Sequence, residues 1–324
     1  MVGWLDRLQQ RSRLAGFVIA VIYKYADDQG GYLAAMITYY AFVSLFPLLL
    51  LLTTVLGAVL EGRPELQQQV LQSTLAQFPV IGDQLGQPDQ LSGGAVAVVV
   101  GIVGALYGGL GVGQALQNAM DSVWAVPRNN RRDPFRSRVR SLLLLVILGS
   151  VAIAATVLSA VGRSADTFGM FGKAGIVVAA VAINAAIGLV AFRVTTARTV
   201  SYLQVLPGAL AAAVIWQLLQ WFGAGYVAHT VKSASATNSV FALVLGLLAF
   251  LYLVSASLVL CAEVNVVRVD RLYPRALLTP FTDDVELTSA DRQTYTRMAK
   301  AERLKGFQHV DVTFDSTEKP TEQD

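Results

Sequence analysis

Glu263 is the only acidic side chain within about 20 residues on its N-terminal side, closing the run NSVFALVLGLLAFLYLVSASLVLCAEVNVVR. An ionised carboxylate in such surroundings costs roughly 3 kcal/mol unless it is paired or hydrated. It is therefore either a structural clamp or a proton- or cation-coupled group. Arg193, Arg198 and Arg268 are expected on its side of the chain and are the candidate partners. Asn265 follows it, and Asn184 falls at the middle of another apolar run. A buried amide of this kind bridges helices for about 1 kcal/mol, so packing competes with ligand contact as its role. Pro47 interrupts a third run, where it removes a backbone donor and predicts a kink or local break. Freed carbonyls at such breaks often mark transport sites, and Tyr40 and Ser44 crowd the same stretch. Tyr40, Ser44, Pro47, Asn184, Glu263 and Asn265 thus form a candidate transport path or coupling set. Helix packing and an interfacial aromatic belt are the plainer readings of the same residues.

Other chemistries lack their raw material. General acid-base or metal catalysis needs His, Asp, Glu or Cys side chains that can converge. The chain has only two histidines, His229 and His309, and one cysteine, Cys261. No HExxH, GxSxG, phosphate-loop or zinc-ligand spacing occurs. The expectation is a protein that is not an enzyme, with no cofactor, no metal and no disulfide.

The elements that hold the candidate residues are membrane helices. Ile37 to Leu60 is 24 residues without a charge, and five comparable stretches follow. A hydrocarbon core of about 30 Å requires about 20 apolar residues in a helix, because each peptide group must be satisfied within its own segment. Spans are expected at 37–60, 93–113, 141–161, 174–192, 207–231 and 240–267. The fold class is all-α, a polytopic membrane protein with six transmembrane helices. Residues 1–35 read as an amphipathic interfacial segment broken by Gly30 and Gly31, 36–275 as the membrane domain and 276–324 as a polar tail. The tail holds 16 of the 47 charged residues after Thr279, with one short helix from about Ser289 to Leu304 and a disordered remainder expected. A glutamine-rich external loop at 61–91 reads as carrying a short surface helix over 65–78.

Basic residues fix the orientation. Arg7, Arg11, Arg13 and Lys24 precede the first span, and Arg128, Arg131, Arg132, Arg136, Arg138 and Arg140 fill the loop after the second. Arg193 and Arg198, then Arg268, Arg271 and Arg275, occupy later loops of the same parity. By the positive-inside bias both termini are cytoplasmic. The formal net charge of +3 follows from this face and gives no reason to expect nucleic acid as a partner. Arg128, Arg131, Arg132 and Arg136 are candidate contacts for lipid phosphates. Gly104 and Gly108, like Gly109 and Gly113, stand four apart in span two, so backbones can approach closely there. That face could join two helices of one chain or two protomers of a homo-oligomer.

Three segments together resemble a known family. AAMITYYAFVSLFPLLLLLTTVLG, LQNAMDSVWAVPRNNR and NSVFALVLGLLAFLYLVSASLVLCAEVNVVR are similar to the YihY/BrkB family of bacterial inner-membrane proteins. The pattern from Tyr39 to Pro47, the pair Asn118 and Trp124, and Ala262 to Asn265 carry the likeness, which covers roughly residues 14 to 275. Cys261 stands where glycine is usual, and span two lacks the aromatic or Ser-Arg elements common in the family. The resemblance implies six helices with both termini inside, in the bacterial inner membrane. It also implies transport or flipping of a small solute or lipid-linked molecule, without naming one. A ribonuclease label once carried by the family finds no catalytic set in these residues. A non-transporting envelope scaffold that organises lipids is the alternative expectation.

Overall fold

The computed structural model describes residues 6, 11–59, 95–147, 169–231, 236–282 and 285–314. The external loop at 61–91, the second half of the expected third span and the last ten residues lie outside them. Among the described residues the chain is helical: α1 (Arg13–Asp27), α2 (Gly30–Val59), α3 (Ala95–Val123), a 3-10 turn (Arg128–Asn130), α4 (134–147), α5 (Gly169–Thr195), α6 (Tyr202–Val231), α7 (Ala236–Asp270) and α8 (Ser289–Ala301).

Four helical stretches are long and apolar enough to cross a membrane, Val99–Val123, Val178–Thr195, Tyr202–Phe222 and Val244–Asp270, and Gly30–Leu45 is a shorter apolar one. Their outward faces are apolar: Val99, Val103 and Tyr107 on α3, Val214, Leu218 and Trp221 on α6, and Leu245 and Leu253 on α7 are exposed. A water-soluble protein rarely leaves so much contiguous apolar surface uncovered, whereas lipid is its natural solvent.

α7 is the central element, packed against α1, α2, α3 and α6. At 35 residues it is about 52 Å long, well beyond a bilayer core. Its excess length carries Glu263, Asn265 and Asp270 into a second core. There Val259, Ala262 and Val266 meet Ala20 and Val21 of α1, Met120 and Val123 of α3, and Val205 of α6. A smaller cluster of Leu45, Leu247, Phe250 and Leu251 lies further along α2 and α7.

Small residues set the α2–α3 distance. A Cβ on Gly104 would fall 2.6 Å from the Pro47 ring, and one on Gly108 2.5 Å from the Ser44 Cα. Gly111 likewise faces the Tyr40 ring. Where a kink or break is expected at Pro47, the helix continues through it without interruption. Gly109 and Gly113 face α4 instead, against Leu145 and Ser141. The two glycine pairs therefore serve two different neighbours within one chain.

The break between α1 and α2 is not at the glycines. Asp28 and Gln29 make the turn, Gln29 in the left-handed region at φ 55°, and Gly30 opens α2 with its Cα against the Tyr25 ring. Helices α3 and α7 end alike. Ala125 (φ 50°) and Arg271 (φ 53°) adopt the left-handed conformation. Val126 N–H then reaches the Asp121 carbonyl at 2.8 Å, and Leu272 N–H the Val267 carbonyl at 3.1 Å, as in a Schellman cap.

The described ends of the chain and the basic connections gather at one end of the bundle. The Asp6 carboxylate accepts from Leu277 N–H, and the Tyr23 hydroxyl donates to the Leu277 carbonyl at 2.6 Å. Asn129 N–H donates to the Arg303 carbonyl at 3.0 Å, and Arg128 pairs with Glu302. Ala197 N–H, between α5 and α6, donates to Asp121 at the end of α3.

Candidate functional site

Glu263 points from α7 into the core beneath α1 and is wholly buried. Its nearest described cation is Lys24, with Nζ 3.7 Å from Oε2, and its carboxyl group also meets that of Asp28. Lys24 comes from the inward face of α1, one turn after Ala20 and Val21, and is 2% exposed. It pairs with Asp28 and donates to the Val123 carbonyl at the end of α3 at 3.2 Å. One ammonium thus serves two carboxylates, and a neutral cluster needs one proton. Burial lifts the Asp28 carboxyl above its ordinary value, with Lys24 opposing. Burial works against the charge on Lys24, but Glu263 and Asp28 outweigh it and hold the ammonium above its ordinary value.

The arginines expected to pair with Glu263 are occupied elsewhere. Arg198 makes a two-pronged contact with Asp270 at 2.9 and 3.0 Å, Arg193 lies over the Tyr202 ring at 3.9 Å, and Arg268 reaches the Leu203 carbonyl at 3.4 Å. That last contact has a local cause. Pro207 lacks the N–H that would otherwise bond to Leu203, so its carbonyl is free to accept.

Asn265 sits two residues after Glu263 and does different work. Its Oδ1 accepts from Gly208 N–H at 2.7 Å, while Gly208 has its Cα so close to the Cys261 carbonyl that no Cβ would fit. The amide therefore joins α7 to the proline-disturbed turn of α6. Tyr40, Ser44 and Pro47 line the α2–α3 seam described above, and the Ser44 hydroxyl donates to the Ala41 carbonyl at 2.9 Å. Asn184 is half-buried on α5 and takes no part in these contacts. The structure brings Glu263 and Asn265 together near Lys24 and places Tyr40, Ser44 and Pro47 along a separate seam.

The arginine loop divides in the same way. Arg132 donates to the Thr195 carbonyl at 2.9 Å and to the Thr196 carbonyl, and Arg140 to Val194 at 3.1 Å. Both neutralise the last, unpaired carbonyls of α5, where the helix dipole is negative. Arg131 is held by Asn118, Ser122 and the Val126 carbonyl. Arg128 faces Glu302 at 2.8 Å, and Arg136 stays exposed beside Asp133.

A second buried network lies below α1. Arg275 is 0% exposed, with Nη2 3.0 Å from Asp27 and 3.3 Å from the Tyr295 hydroxyl, and Nε bonded to Asp291. Asp291 also accepts from Ala276 N–H and Thr288 N–H, both at 3.0 Å, and completes a capping box with Thr288 at the start of α8. Burial opposes the charge on Arg275, but Asp27 and Asp291 hold its guanidinium above the ordinary value.

Sequence reasoning missed Lys24, Asp28, Arg275 and Asp291 as partners. For Lys24 a signal existed, since a cation three and four residues after Val21 and Ala20 lies on the apolar face of its helix. Nothing local marked Arg275.

Residues 21–282 match the family model described as Virulence factor BrkB. No curated protein and no solved structure matches the chain.

Proposed function

The chain belongs to the Virulence factor BrkB family, and from that premise we propose that it is a transporter-like protein of the bacterial inner membrane. It exports or flips a small solute or lipid-linked molecule and performs no enzymatic reaction. The observation that carries this reading is Glu263, a wholly buried carboxyl group that shares the single ammonium of Lys24 with Asp28. A clamp is most stable when each buried carboxylate has its own cation, and two carboxyl groups on one ammonium suit a residue that exchanges a proton or releases Lys24. Lys24 lies on α1, so the charge on Glu263 decides which carboxyl group Lys24 serves and how that helix sits over the end of the bundle. The cluster acts as a charge-operated closure.

Six crossings with both termini in the cytoplasm suit this account. The described ends meet on one face, which supports an even number of crossings, and the positive-inside bias favours a cytoplasmic side for that arginine-rich face.

The test is untargeted profiling of metabolites and lipids, inside and outside cells, in a deletion strain complemented by wild type or by Glu263→Gln. One compound class that shifts on deletion and returns only with wild type supports transport. Rescue by both, or no class that shifts, refutes it.

The interlocked loop and tail favour a second reading, a lipid-organising scaffold, through exposed Arg136. Under that reading Arg136→Glu abolishes function while Glu263→Gln is tolerated.

A further inference from the structure

A cleft of about 450 Å³ opens on the face that carries the basic connections, between the turn after α3, the α5–α6 connection and α8. Trp124, Pro127 and Asn130 line it from the turn, Arg198 from the α5–α6 connection, and Arg297 and Lys300 from α8. Its charge is unbalanced. Arg198 and Arg297 share one carboxylate, Asp270, and keep 37% and 32% of their side chains exposed. Lys300 is exposed and adds a third cation. Three positive groups from two separate parts of the chain therefore converge around one buried negative one.

The geometry holds these groups ready in advance. Arg198 is fixed from two sides, by Asp270 and by the Trp124 ring 5.0 Å below its guanidinium. Trp124 itself is 3% exposed, anchored by the left-handed cap at Ala125. A pre-oriented guanidinium presents its remaining N–H donors as a planar fork, the geometry that suits phosphate oxygens. The volume lies within the range of about 300–1,000 Å³ usual for organic ligands and exceeds the needs of a bare inorganic anion.

We propose that this cleft is a binding site for a phosphate-bearing organic ligand, clasped between the membrane helices and α8. Arg198 and Arg297 contact the phosphate while Asp270 keeps them parallel, and Lys300 closes over it from α8. The apolar wall at Ala125 and Pro127 receives the organic part. Occupancy ties α8 to the α5–α6 connection, so the ligand stabilises the closed arrangement of this face. The assignment is independent of Glu263 and of transport.

The ligand's phosphate belongs either to a soluble metabolite or to a lipid headgroup, and two arms separate them. The full chain in detergent is titrated calorimetrically with inorganic pyrophosphate. The same chain in nanodiscs of phosphatidylcholine, with or without phosphatidylglycerol, is followed by its thermal midpoint. Wild type and Lys300→Glu are compared with Arg292→Glu, which makes the same charge change on α8 outside the cleft. Loss of one charge-assisted contact and gain of a repulsive one weaken binding by about tenfold or more in Lys300→Glu. Arg292→Glu behaves as wild type. A response to pyrophosphate that Lys300→Glu loses assigns a soluble ligand, and one to phosphatidylglycerol alone assigns a headgroup. Equal responses in both variants, or none in either arm, overturn the proposal.

Discussion

Removing the Asp291 carboxylate should release α8 while leaving the membrane helices in place. In Asp291→Ala the fully buried Arg275 loses the partner of its Nε, and the N–H groups of Ala276 and Thr288 lose their acceptor. Breaking a buried ion pair from one side costs about 3–5 kcal/mol, because the surviving charge stays desolvated. Asp27 still faces Arg275 Nη2 at 3.0 Å, which places the expected cost at the lower end, about 3 kcal/mol. Thr288→Ala is the internal control, since it removes the helix cap but leaves the ion pair, for about 1 kcal/mol. Amide hydrogen exchange of residues 289–301 in detergent reads these as opening equilibria. Asp291→Ala should speed exchange on the order of a hundredfold and Thr288→Ala about fivefold. Equal effects of the two substitutions, or an effect of Asp291→Ala below tenfold, would refute the view that the buried pair holds α8.

Other consequences can be checked alongside. Gly108→Ala places a methyl inside the Ser44 backbone and should cost about 1–3 kcal/mol, seen as a lower melting temperature in detergent. Gly175→Ala, with nothing within 4 Å of its Cβ position, should cause no such loss. Asn265→Leu leaves Gly208 N–H without its 2.7 Å acceptor and should destabilise by about 1–3 kcal/mol in the same melt. The Asp28 carboxyl is raised by burial, with Lys24 opposing, so folding favours its protonated form. Its contribution to stability therefore grows as pH falls through the raised value and levels off below the ordinary value of about 3.9. The melting difference between wild type and Asp28→Asn should shift in favour of wild type from pH 8 to pH 5. A difference that stays constant or moves the other way contradicts this.

Helix existence was legible because bilayer thickness imposes a length and a composition on each span. The 24 uncharged residues from Ile37 fall largely in α2, and the run closed by Glu263 lies in α7. The role of the glycines was half legible. Their spacing announced close approach, but only the fold separates Gly104 and Gly108, which face α2, from Gly109 and Gly113, which face α4. Partners were the hardest to read, because ion pairs depend on distance in space. Arg198 was a reasonable candidate for Glu263 by side of membrane, yet Asp270 is reachable in two-pronged geometry and takes it. Lys24 reaches Glu263 only because α1 folds back onto α7, a packing choice that periodicity in either helix does not encode. Arg275 and Asp291 are 16 residues apart, joined by an irregular segment whose path no helical pattern describes.

The central claim is that Glu263 serves movement and not cohesion, and Glu263→Gln tests it when melting temperature and rescue of the deletion strain are measured together. The substitution keeps the shape, leaves Lys24 paired with Asp28 and removes the second buried acid that competes for that one ammonium. The account predicts a melting temperature equal to or above wild type together with failure to restore the altered compound class. A lower melting temperature with full rescue would contradict it and make Glu263 a clamp.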